Sequence, residues 1–204
     1  MKKVWNADEK LQFERMLLEK GYRFIAGVDE VGRGPLAGPV VCSAVIMPLD
    51  DLIEGVDDSK KLSAKKREEL AEKIKEKALC YTLIEVGEKT IDEINILQAT
   101  RLGMKKAIES LSISPDIVLT DGNMTIDIPF KQKSIIGGDA LSYSIGSASI
   151  LAKVYRDKLM DDFAEKYPYY AFEKNKGYGT KAHIDGIKEH GLCPIHRKTF
   201  TKNF

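Results

Sequence analysis

The sequence predicts an α/β protein, a mixed sheet flanked by helices with a helical C-terminal extension. Three observations carry this. Short apolar segments rich in Val and Ile gather early in the chain, and later ones alternate with segments of helical periodicity. After Pro168 both patterns give way to loop and short helix.

Taken in order, Ala7 to Glu19 sets Leu11, Phe13, Leu17 and Leu18 among charges and is closed by Gly21, the pattern of an amphipathic helix. Phe24 to Asp29 and Pro39 to Met47 read as buried strands, with a Gly-Arg-Gly-Pro corner between them suited to a hairpin-like turn. Ser63 to Lys77 is a charged helix with Ser63 as its N-cap, and Leu79 to Val86 is a third strand. Ile91 to Leu111 is helical with internal breaks. Asp116 to Thr120 is a fourth strand ending on Asp121, and Ser134 to Ile136 is a candidate fifth. A long helical pattern from about Leu141 to Lys166 contains Ile145, Ala148, Ile150, Leu151 and Val154. Residues 1–167 are therefore read as the core and 168–204 as a basic extension packed on it.

A hydrophobic fraction of 43% in 204 residues suffices for a substantial core. The longest apolar run, Leu36 to Pro48, is interrupted by Gly38, Pro39 and Ser43 and is far short of a membrane span. Met1 to Lys20 alternates acids and bases and lacks the apolar centre of a signal peptide. A cytoplasmic protein with no membrane contact is expected. Cys42, Cys80 and Cys193 are scattered and odd in number, so they read as reduced thiols. A balance of 32 basic against 31 acidic residues excludes a protein that coats nucleic acid by bulk charge. The charge is nevertheless uneven. From Lys174 to Phe204 there are seven Lys or Arg residues against Asp185 and Glu189, and all three histidines lie there. That tail suits a directed contact with a polyanion or a merely solvated surface, and charge alone leaves both open.

Four acids occupy suspicious positions. Asp29 and Glu30 end an apolar strand, Asp121 ends another, and Asp139 follows Gly137-Gly138 just before a helix. Buried charge is costly unless paired, and strand ends on one sheet edge are neighbours, so these acids ask for bases or cations. Hard divalent ions such as Mg²⁺ or Mn²⁺ take oxygen ligands and would meet that need. Structural readings compete, because Asp121-Gly122-Asn123 is a good turn and Asp139 a good helix N-cap. Asp29 and Glu30 also pose a geometric problem. Adjacent side chains on a regular strand point to opposite faces, so both reach one site only if the strand ends or bulges, for which Gly32 and Gly34 provide.

Longer stretches carry a resemblance. The segment from Gly27 to Val40, GVDEVGRGPLAGPV, is very similar to the opening motif of the ribonucleases HII. In the family's order there follow Asp58-Ser59-Lys60-Lys61-Leu62, Ile94-Asn95-Ile96-Leu97-Gln98-Ala99-Thr100, Asp121-Gly122, and Gly138-Asp139 with Ala148 to Asp157 (ASILAKVYRD). Gly177-Tyr178-Gly179-Thr180 with His183 and Pro194-Ile195-His196-Arg197 complete the set, so the likeness runs from about Phe24 to Phe200. It implies a ribonuclease H-like fold. It also implies a metal site of Asp29, Glu30, Asp121 and Asp139 holding Mn²⁺ or Mg²⁺, usually as a pair of ions. Water would attack the phosphodiester 5′ of a ribonucleotide in an RNA/DNA hybrid or in duplex DNA, leaving a 3′-hydroxyl and a 5′-phosphate.

The same resemblance gives substrate contacts to Gly32, Arg33, Gly34, Lys60, Lys61, Asn95 and Tyr178. The glycines let backbone amides approach the nucleic acid, the 2′-hydroxyl marks RNA, and Tyr178 stacks on the next sugar. Without it, Gly32 to Gly34 would be a turn, Tyr178 an ordinary aromatic, and Lys60 to Arg67 a solvated helix start. The chain departs from many relatives at Gly137, where they carry Lys, and near Leu141, where they are polar or basic. Asp157 is read as an ion-pair partner and left out of the catalytic set. His190, Cys193 and His196, spaced by three, hint at zinc, but a fourth ligand is lacking unless His183 joins, so zinc is set aside, and the resemblance implies instead that His196-Arg197 belong to a structural and substrate-facing tail. A monomer is expected. A non-catalytic hybrid binder is disfavoured because acids repel phosphate without metal. Ribonuclease HIII is disfavoured because about two dozen residues precede the first strand, too few for its extra domain.

Overall fold

The computed structural model describes residues 7–57 and 59–203; residues 1–6, Asp58 and Phe204 lie outside the described residues. Five strands are formed by Ile25–Val31 (β1), Val40–Ile46 (β2), Cys80–Val86 (β3), Ile117–Asp121 (β4) and Lys131–Ile135 (β5). They make one mixed sheet in the order β3-β2-β1-β4-β5. β1 pairs antiparallel with β2 and β2 with β3, whereas β1–β4 and β4–β5 are parallel. β1 runs through Asp29 and Glu30 to Val31 in unbroken register, so no bulge interrupts it. The corner between β1 and β2 is the loop from Gly32 to Pro39, longer than a tight hairpin turn and bridged from Ala37 to His196.

Alternation along the strands gives each face its own core. Ala26, Val28, Cys42, Ala44 and Ile46 pack with Met104, Ala107 and Ile108 of the helix Glu88–Glu109 (α3). The opposite face is covered by Ala64–Lys77 (α2) and Tyr143–Lys166 (α5), where Leu70, Ile74, Ala148 and Leu151 meet Val45. α5 lies with its backbone against β1. A Cβ on Gly27 would fall 2.1 Å from the carbonyl carbon of Ser144, so only glycine permits the approach.

Local chemistry fixes the helix boundaries. Ser63 caps α2 by accepting from Lys66 N–H, as expected. The long pattern near Leu141 divides in two, a short helix Gly138–Leu141 (α4) and α5, because Ser142 adopts extended dihedrals and caps α5 at Ile145 N–H. The break expected in α3 falls at Asn95, with φ 65° and ψ 165°. β5 begins at Lys131, earlier than expected, because this exposed edge strand carries polar residues that leave no apolar signal.

The N-terminal segment is a 3₁₀ turn, Ala7–Leu11, followed by Gln12–Leu18 (α1). Two of its charges are buried. Lys10 Nζ meets Asp57 at 2.5 Å, and Glu14 accepts from the Ser142 hydroxyl at 2.6 Å and Ser144 N–H at 3.0 Å. The C-terminal segment forms a 3₁₀ turn at Pro168–Tyr170 and the helices Phe172–Asn175 (α6) and Lys181–His190 (α7). Tyr170, Phe172, Ile187 and Ile195 bury themselves against Ala37 and Met160. No helix among the described residues is long and apolar enough to cross a membrane.

Candidate active site

Parallel pairing of β1 with β4 brings their C-terminal ends to one edge of the sheet, placing Asp29 and Asp121 one step beyond the Val28–Thr120 pair. Asp29 is buried on the face that α5 covers. It accepts Glu30 N–H at 2.8 Å and a hydrogen bond from the Ser149 hydroxyl of α5, which itself meets Ser59 Oγ at 3.0 Å. Glu30 sits at the alternate strand position and pairs with Arg33 at 3.3 Å. Asp121 reaches across to α4, its Oδ1 accepting Gly138 N–H at 2.7 Å. Asp139 is buried in the first turn of α4, where Gly137 rather than Asp139 is the N-cap residue. Its Oδ2 lies 3.5 Å from Lys60 Nζ.

These acids share one electrostatic problem. Burial, and after it the charges of Glu30 and Asp121, push the Asp29 carboxyl well above the usual carboxylate range. Burial also raises Glu30, with Arg33 opposing and Asp121 adding to the rise. Positive charge is therefore deficient where Asp29, Glu30 and Asp121 meet. Among the described residues, no three acid, imidazole or thiol groups already form a ready-made ligand cage. The acids are held instead by Ser149, Arg33, Gly138 and Lys60. An all-oxygen donor set short of counter-charge is the kind that suits a hard divalent cation.

Beside the acids stands the Gly32–Pro39 loop. A Cβ on Gly34 would lie 3.5 Å from a ring carbon of Tyr178, so loop and aromatic face each other with the ring half-exposed. Tyr178 is fixed through its backbone: its N–H donates to Asn175 O, and its carbonyl accepts from Thr180 N–H and His183 Nδ1. Lys60 approaches the acids, whereas Lys61 lies nearer Asp57, at 3.9 Å. Asn95 is exposed, and its Oδ1 accepts from Leu97 and Gln98 N–H as the cap of the second half of α3. Its dihedrals are nearly confined to glycine, a strain of order 1–3 kcal/mol that clusters at functional sites. Gly137 has φ 69° and open space around it, and Leu141 is exposed. Asp157 pairs with Lys153 and Arg67 and stays out of the acid cluster.

Sequence reasoning missed the residues behind the loop. Arg156 and Arg197 are fully buried, and their guanidinium groups donate to loop carbonyls. The available signal was spacing: Arg156 shares the helical stripe of Ala148, Ala152 and Met160, all buried in α5. The three histidines divide between two settings. His183 and His196 are buried with their Nε2 atoms 3.0 Å apart, while His190 stacks on Tyr169. The basic tail is less available than its composition suggests, since Arg197 is interior, Lys176 pairs with Asp161 and Lys181 with Asp185.

Comparison with known proteins agrees with this fold. The family model described as Ribonuclease HII matches residues 26–203. A Ribonuclease HII of Caldicellulosiruptor saccharolyticus is 58% identical over 192 residues, covering 94% of each chain. Among solved structures, the ribonuclease H2 of Pyrococcus horikoshii OT3 superposes with TM-score 0.75 at 28% identity, covering 88% of this chain and 94% of that one. The ribonuclease HII of Archaeoglobus fulgidus, solved in complex with PCNA, gives TM-score 0.72 at 26% identity, covering 86% and 94%.

Proposed function

The chain belongs to the ribonuclease HII family and is a ribonuclease H acting on RNA/DNA hybrids, and on that premise we propose that it also cuts duplex DNA on the 5′ side of a single embedded ribonucleotide. The products are a 3′-hydroxyl and a 5′-phosphate. The observation that carries this reading is the juxtaposition of three parts: the acid cluster, the Gly32-Arg33-Gly34 loop joined to it through Arg33–Glu30, and Tyr178 facing Gly34.

Asp29, Glu30, Asp121 and Asp139 would hold Mg²⁺ or Mn²⁺. Such ions stabilise both the attacking and the leaving oxygen of an in-line displacement at phosphorus. The rest is work for the chain's own groups. Ser149 and the Glu30 amide fix the Asp29 carboxylate, and Arg33 holds Glu30 beside it. Lys60, exposed and next to Asp139, offers its ammonium to a substrate phosphate. Backbone amides of the Gly32-Arg33-Gly34 loop read the 2′-hydroxyl, and Tyr178 stacks on the sugar that follows. Asn95 and Lys61 flank the path of the backbone.

The test is cleavage of duplex DNA containing one ribonucleotide, with products mapped to the nucleotide, in Mg²⁺ or Mn²⁺ and in EDTA. A single metal-dependent cut 5′ of the ribonucleotide is expected. Cleavage of long hybrids without cleavage of this duplex would refute the embedded-ribonucleotide reading, and full activity in EDTA would refute the metal assignment.

A further inference from the structure

Arg156 and Arg197 have no carboxylate partner within ion-pair distance among the described residues, although neither side chain reaches solvent. Buried guanidinium groups need their donors satisfied, and here backbone carbonyls do it. Arg197 donates to Gly32 O at 2.6 Å, to Arg33 O at 2.9 Å, and twice to Gly38 O. Arg156 donates to Pro39 O and Lys176 O at 2.9 Å and to Ala37 O at 3.2 Å. Burial lowers Arg156 to about 10 and, with the charge of Arg156 adding to the fall, Arg197 to about 9, so both remain cations at neutral pH.

The consequence lies in peptide geometry. In a trans peptide the C=O and the following N–H point opposite ways. Drawing the Gly32 and Arg33 carbonyls inward therefore turns the Arg33 and Gly34 amides outward. Those two residues are exposed, and among the described residues their N–H groups donate to no protein acceptor. Arg156 also binds both recognition segments at once, the loop through Ala37 and Pro39 and the Tyr178 turn through Lys176. The space is already filled: a Cβ on Gly32 would sit 2.1 Å from Arg156 Nε.

We infer that Arg156 and Arg197 are positioning residues for ribonucleotide recognition, a buried guanidinium pair that sets the peptide planes of Gly32-Arg33-Gly34 and locks that loop to the Tyr178 turn. The inference rests on the loop reading the sugar, as proposed above, and adds what orients it. Lysine keeps the charge at either position but cannot span several carbonyls.

Arg156→Lys and Arg197→Lys, checked for folding by circular dichroism and thermal melting, are assayed on an RNA/DNA hybrid with a same-sequence DNA duplex as competitive inhibitor. KM for the hybrid should rise by about tenfold, the effect of one misdirected hydrogen-bond donor to substrate, while Ki for the DNA duplex stays unchanged. A folded variant with an unchanged ratio of KM to Ki overturns the inference. Should neither variant fold, hydrogen exchange on the unmodified protein in EDTA decides. The Arg33 and Gly34 amides should be protected by the hybrid and not by the DNA duplex, and equal protection by both overturns the inference. Because the hybrid is the substrate here, failure to cut an embedded ribonucleotide would sink only the earlier reading.

Discussion

Replacing Gly27 with Ala should loosen the seat of the active site from inside the core. Built on the existing backbone, the new Cβ lies 2.1 Å from Ser144 C, 2.2 Å from Ser144 O and 2.5 Å from Ile145 N. Ordinary contact begins near 3.4 Å. α5 must therefore retreat from β1 by roughly 1.3 Å, and the obstacle is helix backbone that cannot rotate away. Overpacking costs about 1–3 kcal/mol where side chains can adjust, so a backbone collision belongs at the top of that range or above it. For a chain of this size each kcal/mol moves the midpoint by about 2–4 °C, which predicts a drop of about 6–12 °C. The same retreat carries Ser149 away from Asp29, so hybrid cleavage should fall even well below the melting temperature. Scanning calorimetry and steady-state cleavage at a temperature where both proteins are folded measure the two effects. A variant that melts within about 2 °C of the parent with full kcat would refute the close approach of β1 and α5.

Other perturbations address the site directly. Asp29→Asn, Glu30→Gln, Asp121→Asn and Asp139→Asn should each lower kcat on hybrids by about a hundredfold or more while preserving the fold; near-normal turnover of the Asp121 or Asp139 variant at saturating Mg²⁺ would reassign that residue to structure. Tyr178→Ala should reduce cutting at a single embedded ribonucleotide about ten- to a hundredfold more than cutting within a long RNA strand; equal losses on both substrates would remove its junction-sensing role. Acid should destabilise the protein through His196. Burial, and next the neighbouring His183, lower it from 6.5 to about 4, so the unfolded chain binds the proton first and stability falls as pH drops through that window. Asp29 and Glu30, raised in the folded state, act in the opposite sense, so the measurement is the difference in melting temperature between wild type and His196→Gln from pH 7 to 4. Parallel profiles would show that the pair does not titrate this way.

Much of this was legible in the residues. Short Val- and Ile-rich apolar runs located four strands and period-3.6 patterns the long helices, because a strand covered on both faces is apolar throughout while a helix covered on one face repeats. Ser63 announced its own cap, and the Val-rich strand ends pointed to Asp29 and Asp121. β5 was harder, since Lys131, Gln132 and Lys133 lie on an edge where little is buried. The division of α4 from α5 was hidden because Ser142 is one of several serines in the stretch from Gly138 to Ser149, and nothing local marks it as the cap. Arg156 and Arg197 escaped because arginine is ordinarily a surface residue, and only the fold shows which carbonyls converge on it. Glu14 is similar: nothing local reveals that a charge in the first helix will meet Ser142 and Ser144 across the molecule. Motif resemblance supplied the proposed roles of Gly32 to Gly34 and Tyr178, which neither periodicity nor charge could have suggested.

Arg197 reaches back 165 positions to hold the carbonyl of Gly32. A chain emerging from the ribosome can pair all five strands and gather all four acids before that arginine has been added. Its sheet and its acids then exist in advance of the ordered Gly32–Pro39 loop. Contacts so distant in sequence form late, after the entropy of closing the intervening chain has been met. The order in which this fold is assembled therefore places the loop held by Arg197 after the sheet and the acids.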